Sequence, residues 1–274
     1  YFMGFLTGKT AIITGGGRAV LSNGECGSIG YGIATAYAKE GANLVLTGRN
    51  VQKLTDAKEE LEAKYGIKVL PVQADVSAGS DNEAIVQNVV KQAIDTFGRI
   101  DVLINNAQAS ASGVTIADHT TEQFDLAVYS GLYAAFYYMK ACYPYLKETK
   151  GSITCISSVH GKRPTDFDPV YAMTKGGMHM LMREAAIEFA KYGVRVNMIM
   201  PAGVKIEFKS GNPRPFPKAS FELPQEFYEK YPAYPLGRIG LPDDDGWACV
   251  YLASEEAEHI SGASLRADGA AMLL

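Results

Sequence analysis

An α/β fold, with one doubly wound parallel sheet covered by helices on both faces, is what this chain of 274 residues predicts. Three observations carry that expectation. Short apolar runs alternate with longer amphipathic stretches along the whole chain, which is the pattern of βαβ units. The apolar runs are near-continuous rather than alternating, as strands buried on both faces are. The first run stops at Gly15-Gly16-Gly17, ahead of a helix.

The elements follow in order. Residues 10–14 (TAIIT) read as a buried strand. Ser28 is an N-cap candidate for a helix over residues 29–38, and Gly41 is its stop. Residues 43–47 (NLVLT) form the second strand, 51–65 a charged amphipathic helix, and 68–73 the third strand. A helix over 82–97 and a strand over 101–104 come next. Residues 121–146 read as one long helix rich in aromatics. The strand over 151–157 precedes a helix over 171–192 that ends at Gly193. The strands over 194–200 and 264–267 flank a last helix over 243–253. No repeat or linker interrupts the series, so residues 1–274 are expected to form a single domain. The exception is 205–242, which holds seven of the 12 prolines together with Phe208, Phe216, Phe221, Phe227, Tyr228, Tyr231 and Tyr234. A loop of that length inside a compact domain is usually functional, and it is expected to bind substrate.

Composition narrows the partners. A net charge of −4 gives no reason to expect nucleic acid or an anionic membrane. No apolar run reaches the roughly 20 residues that a bilayer span needs. The first six residues lack the basic segment and the length of a signal peptide, and Tyr1 is not an initiator Met. Cys26, Cys142, Cys155 and Cys249 show neither disulfide-framework nor metal spacing, which favours a reducing, cytoplasmic setting and no bound metal.

Two constellations carry chemistry. A strand, a glycine turn and a helix N-terminus together make an anion site, because backbone N–H groups and the helix dipole face the same point. At the first crossover of a Rossmann-type sheet, that site takes a dinucleotide pyrophosphate. The second constellation is Tyr171 and Lys175, with Ser158 upstream. Residues four apart share a helix face. A tyrosine phenol ionises near pH 10, so proton transfer at neutral pH needs about 3 units of help, or about 4 kcal/mol. A nearby ammonium provides that only in a partly dry pocket. Tyr171 and Lys175 alone also fit an ordinary solvated helix face.

The ordered motifs resemble the short-chain dehydrogenase/reductase family from residue 7 to 269. Thr14-Gly15 with Ser28-Ile29-Gly30 resembles its glycine motif, Asp75-Val76 its adenine contact, and Asn105-Asn106-Ala107 its N-N-A-G. Ser158, Tyr171 and Lys175 match its catalytic Ser and Y-x-x-x-K. Pro201 matches its P-G, ahead of Gly203, and Asp268-Gly269 its D-G. The resemblance implies reversible hydride transfer between a nicotinamide and a carbonyl/alcohol carbon. Tyr171 would be the acid–base, Lys175 its electrostatic partner and ribose ligand, and Ser158 the group that binds the substrate oxygen.

The departures are as informative. The glycine turn carries about nine extra residues (18–26), a lengthening that resembles enoyl-thioester reductases of the same superfamily. Gln108 replaces the last Gly of N-N-A-G, Ala202 the Gly after Pro201, Ile206 a Thr that often holds the carboxamide, and Ala270 a second Gly after Asp268. Gly131 stands where the family keeps an Asn that holds a proton-relaying water, so Ser130, His160 or a backbone carbonyl freed at Gly131 is expected to take over that water. The second strand ends in Thr47-Gly48-Arg49-Asn50 with no acid for a ribose 2′-OH. Arg49, seconded by Arg18, favours NADP(H), with NAD(H) possible. The aromatic loop suits a flat, apolar, multi-ring ketone or alcohol, such as a hydroxysteroid or an isoflavonoid-type polyphenol. Tyr129, Tyr133, Tyr137 and Tyr138 lie on a helix that is often a subunit interface in the family, so a homotetramer or dimer is expected. The competing readings are C=C reduction of an enoyl-thioester and a non-catalytic dinucleotide-binding protein.

Overall fold

The computed structural model describes residues 4–77, 79–165, 168–206 and 234–273. Seven strands form one parallel sheet: β1 (Thr10–Thr14), β2 (Asn43–Gly48), β3 (Val69–Gln73), β4 (Val102–Asn105), β5 (Ser152–Ile156), β6 (Arg195–Pro201) and β7 (Ser264–Ala267). Their order is β3-β2-β1-β4-β5-β6-β7. The chain steps outward in one direction from β1 and in the other from β4, so the switch point lies between these two strands. Ligands of doubly wound sheets bind in the crevice outside the strand ends at that point. Thr14 pairs with Thr47 on one side, and Ile13 with Ile104 on the other. The carboxyl ends of the central strands therefore finish along one rim.

Helices cover both faces. α1 (Ile29–Lys39), α2 (Val51–Tyr65) and α7 (Pro242–Ala253) enclose one apolar layer with Ile13, Leu44, Leu46 and Ile104. α3 (Asn82–Phe97), α5 (Ala134–Thr149) and α6 (Pro169–Ala190) enclose the other with Ile12, Val45, Leu103 and Met198. Among the described residues no helix is long and apolar enough to cross a membrane.

Three features depart from the expected elements. The long helix over 121–146 is broken into α4 (Thr121–Ala127), a π-helical segment (Val128–Tyr133) and α5. Ser130 Oγ donates to Leu126 O at 2.6 Å, and Gln108 Nε2 donates to Ala127 O at 3.2 Å. Side-chain donors thus serve carbonyls that a regular helix would serve with backbone N–H groups. The helix expected from residue 171 begins at Pro169, because Asp168 caps it. The extra residues of the glycine turn form a small hairpin, with Val20 bridged to Cys26. Glu25 on its returning arm pairs with Lys205 at 2.8 Å.

The expected substrate loop is only partly described. Phe208, Phe216, Phe221, Phe227, Tyr228 and Tyr231 lie outside the described residues. Its base is closed by Lys205 N to Gly240 O at 2.9 Å and Gly240 N to Gly203 O at 3.0 Å. Tyr138 is a core residue, whereas Tyr129, Tyr133 and Tyr137 form a ring ladder with centroids 5.1 and 6.0 Å apart.

Candidate active site

A cleft opens at the switch point. Gly15, Gly17, Ala19 and Ser28 form one wall, Gly48, Arg49, Asn50 and Lys53 the end, and Asp75, Val76 and Ala107 the other wall. Its floor is fixed by Thr14 Oγ1, which accepts from the backbone N–H of Asn106 and of Ala107, each at 2.9 Å. Asn106 Nδ2 returns a bond to Thr14 O at 2.7 Å. These bonds stitch β1 to the loop after β4 across the crevice.

The cradle is built for close backbone approach. Gly15 has φ 71°, a left-handed conformation, and a Cβ there would lie 2.8 Å from Asn106 Nδ2. A Cβ on Gly30 would collide with the Gly15 carbonyl, so the turn and the first turn of α1 require glycine at both positions. Ser28 caps α1 by accepting from Tyr31 N at 3.3 Å, and no acid occupies the first turn. An uncrowded helix N-terminus free of negative charge fits a pyrophosphate, so these residues fit a dinucleotide.

The cations sort themselves. Arg49 and Lys53 line the cleft. Arg18 does not join them, because its Nε lies 2.5 Å from Glu60 Oε2. That bond raises the Arg18 pKa. The backbone N–H of Arg18 bonds to Lys53 O, which turns its side chain toward α2. The Asp75 carboxylate accepts from Ser77 N at 3.0 Å and Ser77 Oγ at 2.6 Å. Burial pushes its pKa up, but these bonds hold it below the usual value. Ile29 opens α1, Asn105 is buried at the end of β4, and Pro201 ends β6. Gly203 donates its N–H to Tyr234 Oη at 3.0 Å.

Ser158, Tyr171 and Lys175 lie beyond the carboxyl end of β5. Ser158 follows that strand in an extended conformation, and its Oγ accepts from His160 N at 3.2 Å. Tyr171 is in the first turn of α6, with Lys175 one turn on. Lys175 Nζ donates to Ile156 O at 2.7 Å and sits 5.5 Å from the centroid of the Tyr171 ring. Lys175 is 2% exposed, and burial brings its pKa down to about 8. The helix that carries both residues is anchored by Asp168. Its Oδ1 accepts from Tyr171 N at 3.2 Å, and its Oδ2 accepts from Ser110 Oγ at 2.8 Å and Ser112 Oγ at 2.7 Å. The loop after β4 and the start of α6 are thereby tied at one buried carboxylate.

The family profile described as enoyl-(acyl carrier protein) reductase matches residues 24–270. A 12alpha-hydroxysteroid dehydrogenase from a Clostridium species is 49% identical over 97% of this chain and 98% of its own length. The chain belongs to the short-chain dehydrogenase/reductase family. Glucose 1-dehydrogenase 2 of Bacillus subtilis is 30% identical, over 96% of this chain and 95% of the relative. L-sorbose reductase from Gluconobacter frateurii, solved in complex with NADPH and L-sorbose, superposes with a TM-score of 0.83 at 28% identity, covering 98% of both chains. As a member of the family, this protein is an NAD(P)-dependent oxidoreductase.

Several side chains that shape this short-chain dehydrogenase/reductase site were not evident as site residues in its sequence. Asp168 was one, although Asp before Pro is a helix-start signal. Ser110 and Ser112 carry no motif. Lys53 stood in a charged helix like its neighbours. Among the groups expected to compensate for Gly131, Ser130 Oγ donates to Leu126 O and accepts from Ala109 N at 2.9 Å, and His160 Nδ1 lies 3.3 Å from Pro164 O.

Proposed function

We propose that the protein interconverts a ketone and a secondary alcohol on a bulky, apolar ring compound of the hydroxysteroid type, with NADP(H) as preferred cofactor. The observation that carries this reading is the buried Lys175 ammonium beside the Tyr171 ring at the end of β5, one strand from the cleft floor. Near-full-length similarity to a 12alpha-hydroxysteroid dehydrogenase supports the steroid-like substrate class. Arg49 just after β2, where no acid follows the strand, and Lys53 in the first turn of α2 support NADP(H).

A bound nicotinamide supplies the hydride in reduction and takes it in oxidation. The protein's part is proton control. Tyr171 gives its phenolic proton to the carbonyl oxygen, or removes it from the alcohol. The buried Lys175 charge beside the ring favours the phenolate. Ser158 Oγ, held by His160 N, donates its own proton toward the substrate oxygen as charge builds there. Asp168 keeps Tyr171 in the helix's first turn. The Tyr129–Tyr133–Tyr137 ladder and the half-exposed Phe136 support a homo-oligomer, a tetramer or a dimer.

The second reading, C=C reduction of an enoyl-thioester, draws on the lengthened glycine turn and on the description of the matching family profile. A panel of ring ketones and crotonyl-thioester, each with NADPH and with NADH, separates the two. Turnover of a ring ketone is expected. Turnover of the thioester alone would replace the carbonyl reading, and tight cofactor binding without any turnover would favour a non-catalytic protein.

A further inference from the structure

The two most unusual positions of the site touch each other. A Cβ on Gly131 would land on Gln108 Oε1, and 2.6 Å from Thr174 Cγ2. Any side chain at 131 and this placement of Gln108 are therefore mutually exclusive. Gln108 Nε2 donates to Ala109 O at 2.8 Å and to Ala127 O at 3.2 Å. That pair fixes the amide's orientation, since a flipped amide would set its oxygen against two carbonyl oxygens. The oxygen is thus the end directed at Gly131 and Thr174. It is buried, and among the described residues no group donates to it. Buried amide oxygens left in that condition are rare and call for a function or a water.

The surroundings point to water. Thr174 is the residue before Lys175, and α6 packs on the π-helical segment there and again where Gly177 meets Leu132. An ammonium has three N–H donors, and Ile156 O takes one of those on Lys175. Thr174 Oγ1 is committed to Val170 O, and Ser130 Oγ to Leu126 O. Gln108 itself lines the cleft. We propose that Gln108 Oε1 positions a buried water that passes protons between Lys175 and the cleft, with Gly131 kept small to admit the Gln108 amide. The water gives one hydrogen to Oε1, accepts from the ammonium with a lone pair, and hands on one proton per turnover with no electrons moved. Gln108 is a positioning residue in this scheme. Its kinetic consequence rests on the carbonyl-reduction reading above, whereas its geometry does not.

Two experiments test it. A crystal structure of the unaltered protein is expected to show an ordered water hydrogen-bonded to Gln108 Oε1 on the Lys175 side. Oε1 bonded directly to a protein group, or dry, overturns the proposal. In kinetics, Gln108→Met keeps the volume and removes the oxygen together with the donors to Ala109 O and Ala127 O. It is expected to lower kcat by about 10-fold or more, leave KM for ketone and NADPH near the parent values, and shift the pH profile and solvent isotope effect on kcat. The double variant Q108G/G131N, which returns the amide to the helix, is expected to recover most of the lost turnover. Parental kcat and pH profile in Gln108→Met overturn the proposal. If that variant does not fold, the double variant decides, because a folded but inactive Q108G/G131N also overturns it. A parent without turnover on any carbonyl removes the carbonyl-reduction reading and leaves the crystallographic result to judge Gln108.

Discussion

Replacing Lys175 with Met isolates the energetics at the centre of the site. Lys175 is 2% exposed and its pKa falls from 10.5 to about 8 through burial. A depressed lysine pKa means that the unfolded chain binds the proton more tightly than the folded one. The folded state is therefore penalised while both forms are protonated, and the penalty fades as pH rises from about 8 to 10.5. Linkage gives a penalty of about 3 kcal/mol at pH 7 and roughly 1 kcal/mol at pH 10. Lys175→Met removes this titration, and it also loses the bond to Ile156 O. That second loss is independent of pH to first order, so the slope is the clean quantity. Urea unfolding of parent and variant at pH 7, 8, 9 and 10 is expected to show the parent gaining about 2.5 kcal/mol relative to Lys175→Met across the series. A difference that stays flat within about 1 kcal/mol refutes the buried, charged lysine on which the proton chemistry depends.

Three further outcomes follow from the same geometry. Asp168→Ala removes a helix cap and leaves two serine hydroxyls without their acceptor, about 1 kcal/mol each. A loss of about 3 kcal/mol, or roughly 6–10 °C in Tm, is expected by calorimetry, with a fall in kcat because Tyr171 is in the capped turn. Arg49→Ala is expected to raise KM for NADPH by about 10-fold or more and leave KM for NADH unchanged, as loss of a charge-assisted phosphate contact does; equal effects on both cofactors contradict the assignment. Ala270 sits at φ 68°, where a Cβ costs roughly 1–2 kcal/mol. Ala270→Gly is expected to stabilise by about 0.5–1 kcal/mol after the entropy cost of glycine, read from urea midpoints.

The fold was legible because its signals are local. Each strand is an apolar run, each α/β turn has a glycine or a cap, and the spacing dictates crossovers. All seven strands lie within a residue or two of where the runs place them. The π-helical segment was not legible, because its apolar positions continue smoothly from α4 into α5 and the break is imposed by donors from elsewhere. Gln108 is one of those donors, 19 residues from the carbonyl it serves. Arg18 shows the same limit from the other side: its charge suits a phosphate, but Glu60, 42 residues on, holds it. The motif text places Ser158, Tyr171 and Lys175, whereas Asp168, which ties their helix to the loop after β4, acts through a fold-dependent contact with Ser110 and Ser112.

The most direct measurement is turnover of a ring ketone with NADPH by Tyr171→Phe, alongside the affinity of that variant for NADPH. The phenyl ring keeps the packing against Lys175 and loses the hydroxyl. Turnover reduced by about 100-fold or more, with NADPH binding like the parent's, is the expected result. Near-parental turnover in Tyr171→Phe would contradict the account and assign the proton donor to another group.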